Sequence, residues 1–196
     1  MKKLILTIAL FSICALSYAG PGLGIKGGAN FANQSAKFLD VDLNTSGITG
    51  FVGGVYAHWF FGDKIAIQPE LLYARKGAEM EDPVVSSYSA TARLDYFDIP
   101  VVVKWQFIKF LNIHAGPQFS ILTKAVMEDD TNSEDIKEEL KNSDLGLIIG
   151  AEANLPLRLN ITARYIFGLT DISDDDEIEL KNSTFQLTLG IRLIGN

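Results

Sequence analysis

Chemistry at neutral pH needs a base, a nucleophile or a metal-binding cluster, and this 196-residue chain is poor in all three. It has two histidines, His58 and His114, and the nearest hydroxyl in sequence on the same strand parity as His114 is Ser120. A Ser–His pair acts only within hydrogen-bonding reach. Six residues of extended chain place His114 and Ser120 about 20 Å apart, so proton transfer between them is excluded. Two histidines are too few for a histidine-rich metal centre. Cys14, the sole cysteine, lies in an N-terminal segment with the pattern of a cleaved leader, which excludes disulfides and thiolate ligation. No catalytic, cofactor-binding or metal-binding residue is expected, and the chain is read as non-enzymatic.

The remaining residues capable of chemistry are isolated charges inside otherwise apolar stretches: Lys26, Glu70, Asp98, Lys104, Glu152, Arg158, Arg164 and Arg192. All share one parity. In "IAIQPELLYARKG" (65–77), Ile65, Ile67, Leu71 and Tyr73 alternate with Gln68, Glu70 and Lys76, which a strand sends to opposite faces. Intramembrane ionisable groups mark ion or proton paths by default. The alternative is a set of ion pairs that fills a narrow lumen and holds one closed structure. The second reading is preferred, with Glu70, Asp98 and Arg164 near the middle and Lys26, Lys104, Glu152, Arg158 and Arg192 nearer one end.

The elements that must position these charges come from the same alternation. It recurs in eight segments from Gly22 to Leu193, each near the 9–11 residues with which a tilted strand crosses a bilayer. Tight turns are expected around Gly62–Asp63, Ile108–Lys109 and Pro156–Leu157, and long polar loops over 33–46, 78–92, 124–143 and 171–182. Short and long links in alternation put every long loop at one end of an up-and-down barrel. The odd face is almost wholly Leu, Ile, Val, Phe, Tyr, Trp and Ala, whereas a water-facing wall would be rich in Lys and Glu. The even face mixes isolated charges with Thr, Asn, Gln, Ser and many glycines, as suits a lumen just wide enough to be filled by side chains. Aromatic clusters at Trp59–Phe60–Phe61, at Trp105 with Phe107 and Phe110, and at Tyr165 with Phe167 fit membrane-interface girdles. The expected fold is therefore all-β, an eight-stranded antiparallel up-and-down transmembrane β-barrel.

Composition sets the rest. Lys2 and Lys3, the run LILTIALFSICAL and the small residues Ser17 and Ala19 form a secretory signal pattern, so residues 1–19 are read as a signal peptide and 20–196 as the barrel domain. The remaining chain carries a net charge of about −9, which excludes a nucleic-acid partner. Acids concentrate in the long loops: Glu128, Asp129, Asp130, Glu134, Asp135, Glu138 and Glu139 in one, and Asp171, Asp174, Asp175, Asp176, Glu177 and Glu179 in another. They read as solvated surface loops, with divalent-cation binding or docking of a basic partner as the alternatives. "NSEDIKEELKNS" predicts a short helix capped by Ser133.

Five stretches carry a resemblance: "QPELLYARKGA", "LDYFDIPVVVKW", "AGPQFSIL", "LGLIIGAEANL" and "ITARYIFGLTDI". Together they resemble the PorT-type outer-membrane β-barrel family of Bacteroidota, and the architecture is similar to the small OmpA- and OmpX-like barrels. The resemblance implies a Gram-negative outer membrane, periplasmic termini and extracellular long loops. It also implies a structural or interaction role in the cell envelope, in a type IX-like secretion or gliding complex or an assembly complex. Expected partners are outer-membrane lipids, lipopolysaccharide and an envelope protein met through the loops, with no cofactor. The alternatives are a small-solute or ion pore and, behind it, a lipid A-modifying enzyme. The chain departs from many such barrels in ending Leu193-Ile194-Gly195-Asn196 rather than on an aromatic residue.

Overall fold

The computed structural model describes residues 22–38, 41–43, 45–81, 89–129, 132–174 and 178–195. The expected signal segment 1–19, and Asp130, Asp175, Asp176 and Glu177 of the acidic loops, lie outside these residues. Ten strands run in chain order: β1 (Gly22–Phe38), β2 (Val41–Leu43), β3 (Thr45–Phe61), β4 (Ile65–Glu81), β5 (Ser89–Ile108), β6 (Leu111–Glu128), β7 (Ser133–Asp135), β8 (Ser143–Asn154), β9 (Leu159–Gly168) and β10 (Ile178–Ile194). β2 and β7 are three-residue strands that pair β1 and β6 at the long-loop end. The other eight run antiparallel in the order β1-β3-β4-β5-β6-β8-β9-β10, and β10 pairs β1 to close the barrel. Closure leaves no open edge among them, the condition for placing a sheet in hydrocarbon.

Parity decides which side chains point outward. Val55, Leu71, Val103, Ile149 and Leu189 are among the exposed residues of the odd face, while Asn30, Gln68, Gln118 and Gln186 are buried on the even face. A soluble monomer does not expose a contiguous apolar wall of this extent, so the wall is built for lipid. Two aromatic rows bound it. Trp59, Phe61, Trp105, Phe107 and Phe110 ring the short-turn end, and Phe31, Phe51, Tyr73, Phe97, Phe119, Tyr165, Phe167 and Phe185 form a fuller upper belt. From Phe97 to Phe107 along a tilted strand is about 25 Å of height, the thickness of the apolar band in such barrels.

Several strands overrun the length that crossing requires. β1, β3, β4 and β10 each have 17 residues, β5 has 20 and β6 has 18. The expected loops 33–46, 78–92, 124–143 and 171–182 are accordingly shorter than read from sequence. Their first and last residues continue the ladders above the belt, where polar side chains interact across strands, as Arg75 does with Asp95 and Arg93 with Glu128.

The predicted helix over 132–143 is replaced by β7 and a single 3₁₀ turn, Lys137–Glu139. Ser133 lies in β7 and caps nothing. The turn is preceded by Ile136 with no side-chain cap, because the segment is pulled onto β6 by strand pairing. The short turns fall where expected: Gly62 takes φ +68, and the 3₁₀ turn Pro156–Arg158 forces Leu157 and Arg158 to φ 63. Four register shifts interrupt the ladders: two lie at the short-turn end, at Leu23/Gly24 against β10 and at Gln106/Ile108 against β6, and two lie towards the long loops. In β3 the register with β4 shifts between Gly47 and Val52, opposite Gly77 at φ +142, and in β5–β6 it shifts so that Asp95 faces Lys124 while Tyr96 faces Leu122.

Candidate functional site

The inward residues of all eight long strands meet in a filled lumen, and the charges sort into levels. At mid-height the Glu70 carboxylate accepts from Lys26 Nζ at 2.8 Å and Gln68 Nε2 at 2.7 Å on one oxygen, and from Arg164 Nη1 at 2.9 Å on the other. All four side chains are buried. A carboxylate at this depth is tolerable because each oxygen is satisfied and two cations neutralise it.

Towards the short turns, Lys104 Nζ donates to both oxygens of Glu152 at 2.6 Å, and Thr162 Oγ1 donates to Glu152 at 3.1 Å. Asn160 Nδ2 donates to the Tyr56 hydroxyl at 2.9 Å. His58 stacks on Tyr56 and meets Phe60 edge-on, as a packed lumen residue does. Arg192 is half-buried and lines a vestibule with Lys104, Glu152, Tyr56, His58 and Gln68. The vestibule's cavity is about 20 Å³, against the roughly 10–15 Å³ that one water needs.

Towards the long loops, Lys76 Nζ donates to Asp98 Oδ1 at 2.9 Å and to Ser120 Oγ at 3.2 Å, and sits 4.6 Å from the centroid of the Tyr96 ring. Gln186 Nε2 donates to Asn30 Oδ1 at 2.6 Å, while Asn30 Nδ2 reaches the Arg75 carbonyl at 3.2 Å, one of the groups the β3 bulge releases from the ladder. Above these, Asn182 Nδ2 donates to Asp144 at 2.9 Å, and Thr170 Oγ1 donates to the other Asp144 oxygen at 2.8 Å.

An apolar cap closes the stack. Leu94, Tyr96, Leu122, Ala125, Ile172 and Leu180 form one buried cluster, against which Ile136 and Leu140 pack. Ile172 comes from the loop between β9 and β10 and is 0 % exposed. It is tied in by its N–H to the Leu180 carbonyl at 2.8 Å and by the Lys141 N–H to its own carbonyl at 2.9 Å. Asp171 fastens the same loop: Oδ1 accepts the Leu180 and Ser173 amides at 2.8 and 3.1 Å, and Oδ2 accepts Lys141 Nζ at 3.3 Å. Burial alone would raise the Asp171 pKa, but the Leu180 and Ser173 amides and Lys141 together hold it below the usual carboxylate value.

The structure thus places Lys26, Glu70 and Arg164 in one cluster, Lys104 and Glu152 in a second, and Asp98 in a third. Arg192 borders the second without pairing to it. Arg158 departs from the expected position. It stands exposed on the Pro156–Arg158 turn, with Nη1 3.3 Å from the Leu193 carbonyl, because the left-handed backbone there ends the alternation that would have turned it inward. Lys76, of inward parity but at the edge of the expected 78–92 loop, joins the network beyond the expected set. So do Asp144, Asn160, Asn182, Tyr56 and Tyr96, for which parity in a filled barrel is the signal.

The family model described as "Outer membrane protein beta-barrel domain" matches residues 20–174. Comparison with curated proteins returned no match. Among solved structures, Neisserial surface protein A is similar, with a TM-score of 0.58 at 11% identity over 89% of this chain and 99% of that one. OprG from Pseudomonas aeruginosa gives 0.51 at 11% identity, over 89% and 96%. AlkL, solved in DMPC lipid bilayers, gives 0.50 at 12% identity, over 89% and 90%. At these identities the likeness is one of fold.

Proposed function

This chain belongs to the outer-membrane protein β-barrel domain family, and we propose that it is a non-enzymatic, non-conducting component of the Gram-negative cell envelope. On this reading residues 1–19 are a cleaved signal peptide, the short turns and both termini are periplasmic, and the long loops are extracellular. The protein acts through its outer wall and loops, towards outer-membrane lipid, lipopolysaccharide and an envelope protein partner. The PorT-type resemblance makes a secretion, gliding or assembly complex of Bacteroidota the favoured setting. One of its two most specific stretches, "QPELLYARKGA", supplies Gln68, Glu70 and Lys76 to the lumen, and the other, "LDYFDIPVVVKW", supplies Asp98.

One observation carries this reading: the lumen is filled from vestibule to cap. The Glu70, Lys104–Glu152 and Lys76–Asp98 ion pairs lie beneath a buried apolar cluster that includes a loop residue. An ion entering such a lumen would have to displace paired charges, each costing several kcal/mol to strand. Planar-bilayer recording of the refolded protein tests it. A flat current at both polarities is expected; reproducible single-channel steps, abolished by a disulfide joining the cap to the wall, would establish the pore instead.

A further inference from the structure

The outward face just above the upper aromatic belt is not uniform around the barrel. On β4, β5 and β6 the rows are in register: Tyr73 faces Phe97 and Phe97 faces Ile121, and two residues higher Arg75 faces Asp95 and Asp95 faces Lys124. Lys124 points outward only because the β5–β6 bulge inserts Thr123 and flips the parity of the rest of β6. Arg93 stands further up the same wall, paired with Glu128. At the same height on the opposite wall, Asn33 faces Ser183, with Lys181 one row above. Asp95, Glu128 and Glu79, which faces Thr91, lie on the same outward rows, so in a chain of net charge −7 the three cations make this wall locally balanced rather than acidic.

The geometry leaves these cations able to bind a further anion. Arg75 pairs with Asp95 through Nε at 2.7 Å and Nη2 at 3.0 Å, which leaves Nη1 outside that bidentate contact, and its side chain is 36% exposed. The guanidinium lies 5.3 Å from the Phe51 ring centroid. Asp95 is buried between its two cationic neighbours. Among the described residues the exposed Lys124 side chain makes no hydrogen bond or salt bridge, while its backbone continues the ladder beside Asp95. Beneath them Phe51, Tyr73 and Phe97 form a continuous row of rings, with centroids 5.8 and 5.4 Å apart. Aromatic faces at the acyl–headgroup boundary with fixed cations one row above match a headgroup that combines sugar rings with phosphate.

We infer that the wall from β3 to β6 carries a binding site for a phosphorylated glycolipid of the outer leaflet, with Lys124, Arg75 and Arg93 receiving phosphate and the Phe51–Tyr73–Phe97 row receiving the sugar and acyl boundary. The inference rests on the proposed orientation, in which the long-loop end faces outward. It gives the lipid partner of that reading a defined address on one side of the barrel.

The test uses the refolded full-length barrel in phosphatidylcholine nanodiscs doped with bis-phosphorylated lipid A, with retained lipid counted by native mass spectrometry. Arg75 is kept, since removing it would strand Asp95. At about 1 kcal/mol per interfacial cation, the Lys124→Gln/Arg93→Gln variant should retain roughly twenty-five-fold less lipid A, and Lys124→Gln alone about fivefold less. Lys181→Gln on the opposite wall should retain as much as the parent protein. Dephosphorylated lipid A should bind the parent more poorly than phosphorylated lipid A binds the double variant, because that variant still has Arg75 to receive phosphate. Equal retention by the double variant, or equal retention of dephosphorylated lipid A, overturns the site. Displacement by phosphatidylglycerol at matched concentration overturns the glycolipid assignment in favour of plain charge attraction. The single variant guards against misfolding of the double, and heat-modifiability on a gel verifies both. Bilayer recordings on the same preparation separate failure of this site from failure of the non-conducting reading.

Discussion

Glu70 is the acceptor on which the mid-height cluster converges, so removing it is the sharpest perturbation of the lumen. In Glu70→Ala, Lys26 Nζ loses its bond at 2.8 Å, Arg164 Nη1 its bond at 2.9 Å and Gln68 Nε2 its bond at 2.7 Å, all at buried groups. Breaking one buried ion pair costs about 3–5 kcal/mol because the partner is left charged and unpaired. Here one acid serves two cations, which puts the loss at the upper end, about 5 kcal/mol. That is a large share of the roughly 5–15 kcal/mol by which folded domains are stable. Glu70→Gln keeps acceptor capacity and loses only the charge, so it should fall between the parent and Glu70→Ala. Lys26→Met in the Glu70→Ala background removes one stranded cation and should recover about 1–3 kcal/mol as a coupling energy. The assay is urea unfolding of the refolded barrel in phospholipid vesicles, monitored by tryptophan fluorescence of Trp59 and Trp105. If Glu70→Ala lies within about 1 kcal/mol of the parent, or if Lys26→Met destabilises the two proteins equally, the cluster does not hold the barrel together and the reasoning fails.

Three further outcomes are expected from the same geometry. The Asp171 pKa is lowered in the folded state, so its contribution to the loop latch is fully present above the unfolded value near 4 and is lost as pH falls through the folded value; hydrogen exchange should show the Leu180 and Ser173 amides losing protection only below about pH 4, and Asp171→Ala, which removes the acceptor, should lose it at neutral pH. Ile172→Ala empties part of the cap at a cost of about 2–4 kcal/mol, seen as faster exchange at the Lys141 amide, while bilayer current stays flat because the ion-paired levels beneath are untouched. Leu71→Arg places a base on the lipid face near mid-height and should destabilise by about 2–4 kcal/mol in vesicles, whereas a similar charge on the lumen side is already present as Lys26.

The period-2 alternation made both the barrel and the inward set legible, because a strand has no choice about sending neighbours to opposite faces. It failed at three kinds of place. Bulges reset the parity without any cue in the residues themselves, as Thr123 does for Lys124. Left-handed backbone at Leu157 and Arg158 took Arg158 out of the lumen, and a Leu-Arg pair gives no warning of φ 63. Charge near a strand end reads as loop although the ladder runs on, which hides Lys76 and its pairing with Asp98. Partners across the lumen were not legible at all. That Glu70 meets Arg164 depends on which strands lie opposite one another in a closed ring, and no local pattern encodes it.

The seam between β1 and β10 has a consequence for the order of events in folding. It runs from Leu23 against Ile194 to Phe38 against Ile178, so the first barrel strand made waits for the last. Loop closure over almost the whole chain makes this the slowest contact to form by chance. Until it forms, two long strand edges carry unpaired amides and carbonyls, which are intolerable in hydrocarbon and adhesive in water. Hairpin-by-hairpin insertion into lipid is therefore closed to this chain as a stable route. The strands must be held together at the bilayer surface, or at a partner's edge that stands in for the missing neighbour, and the seam must zip as the barrel enters.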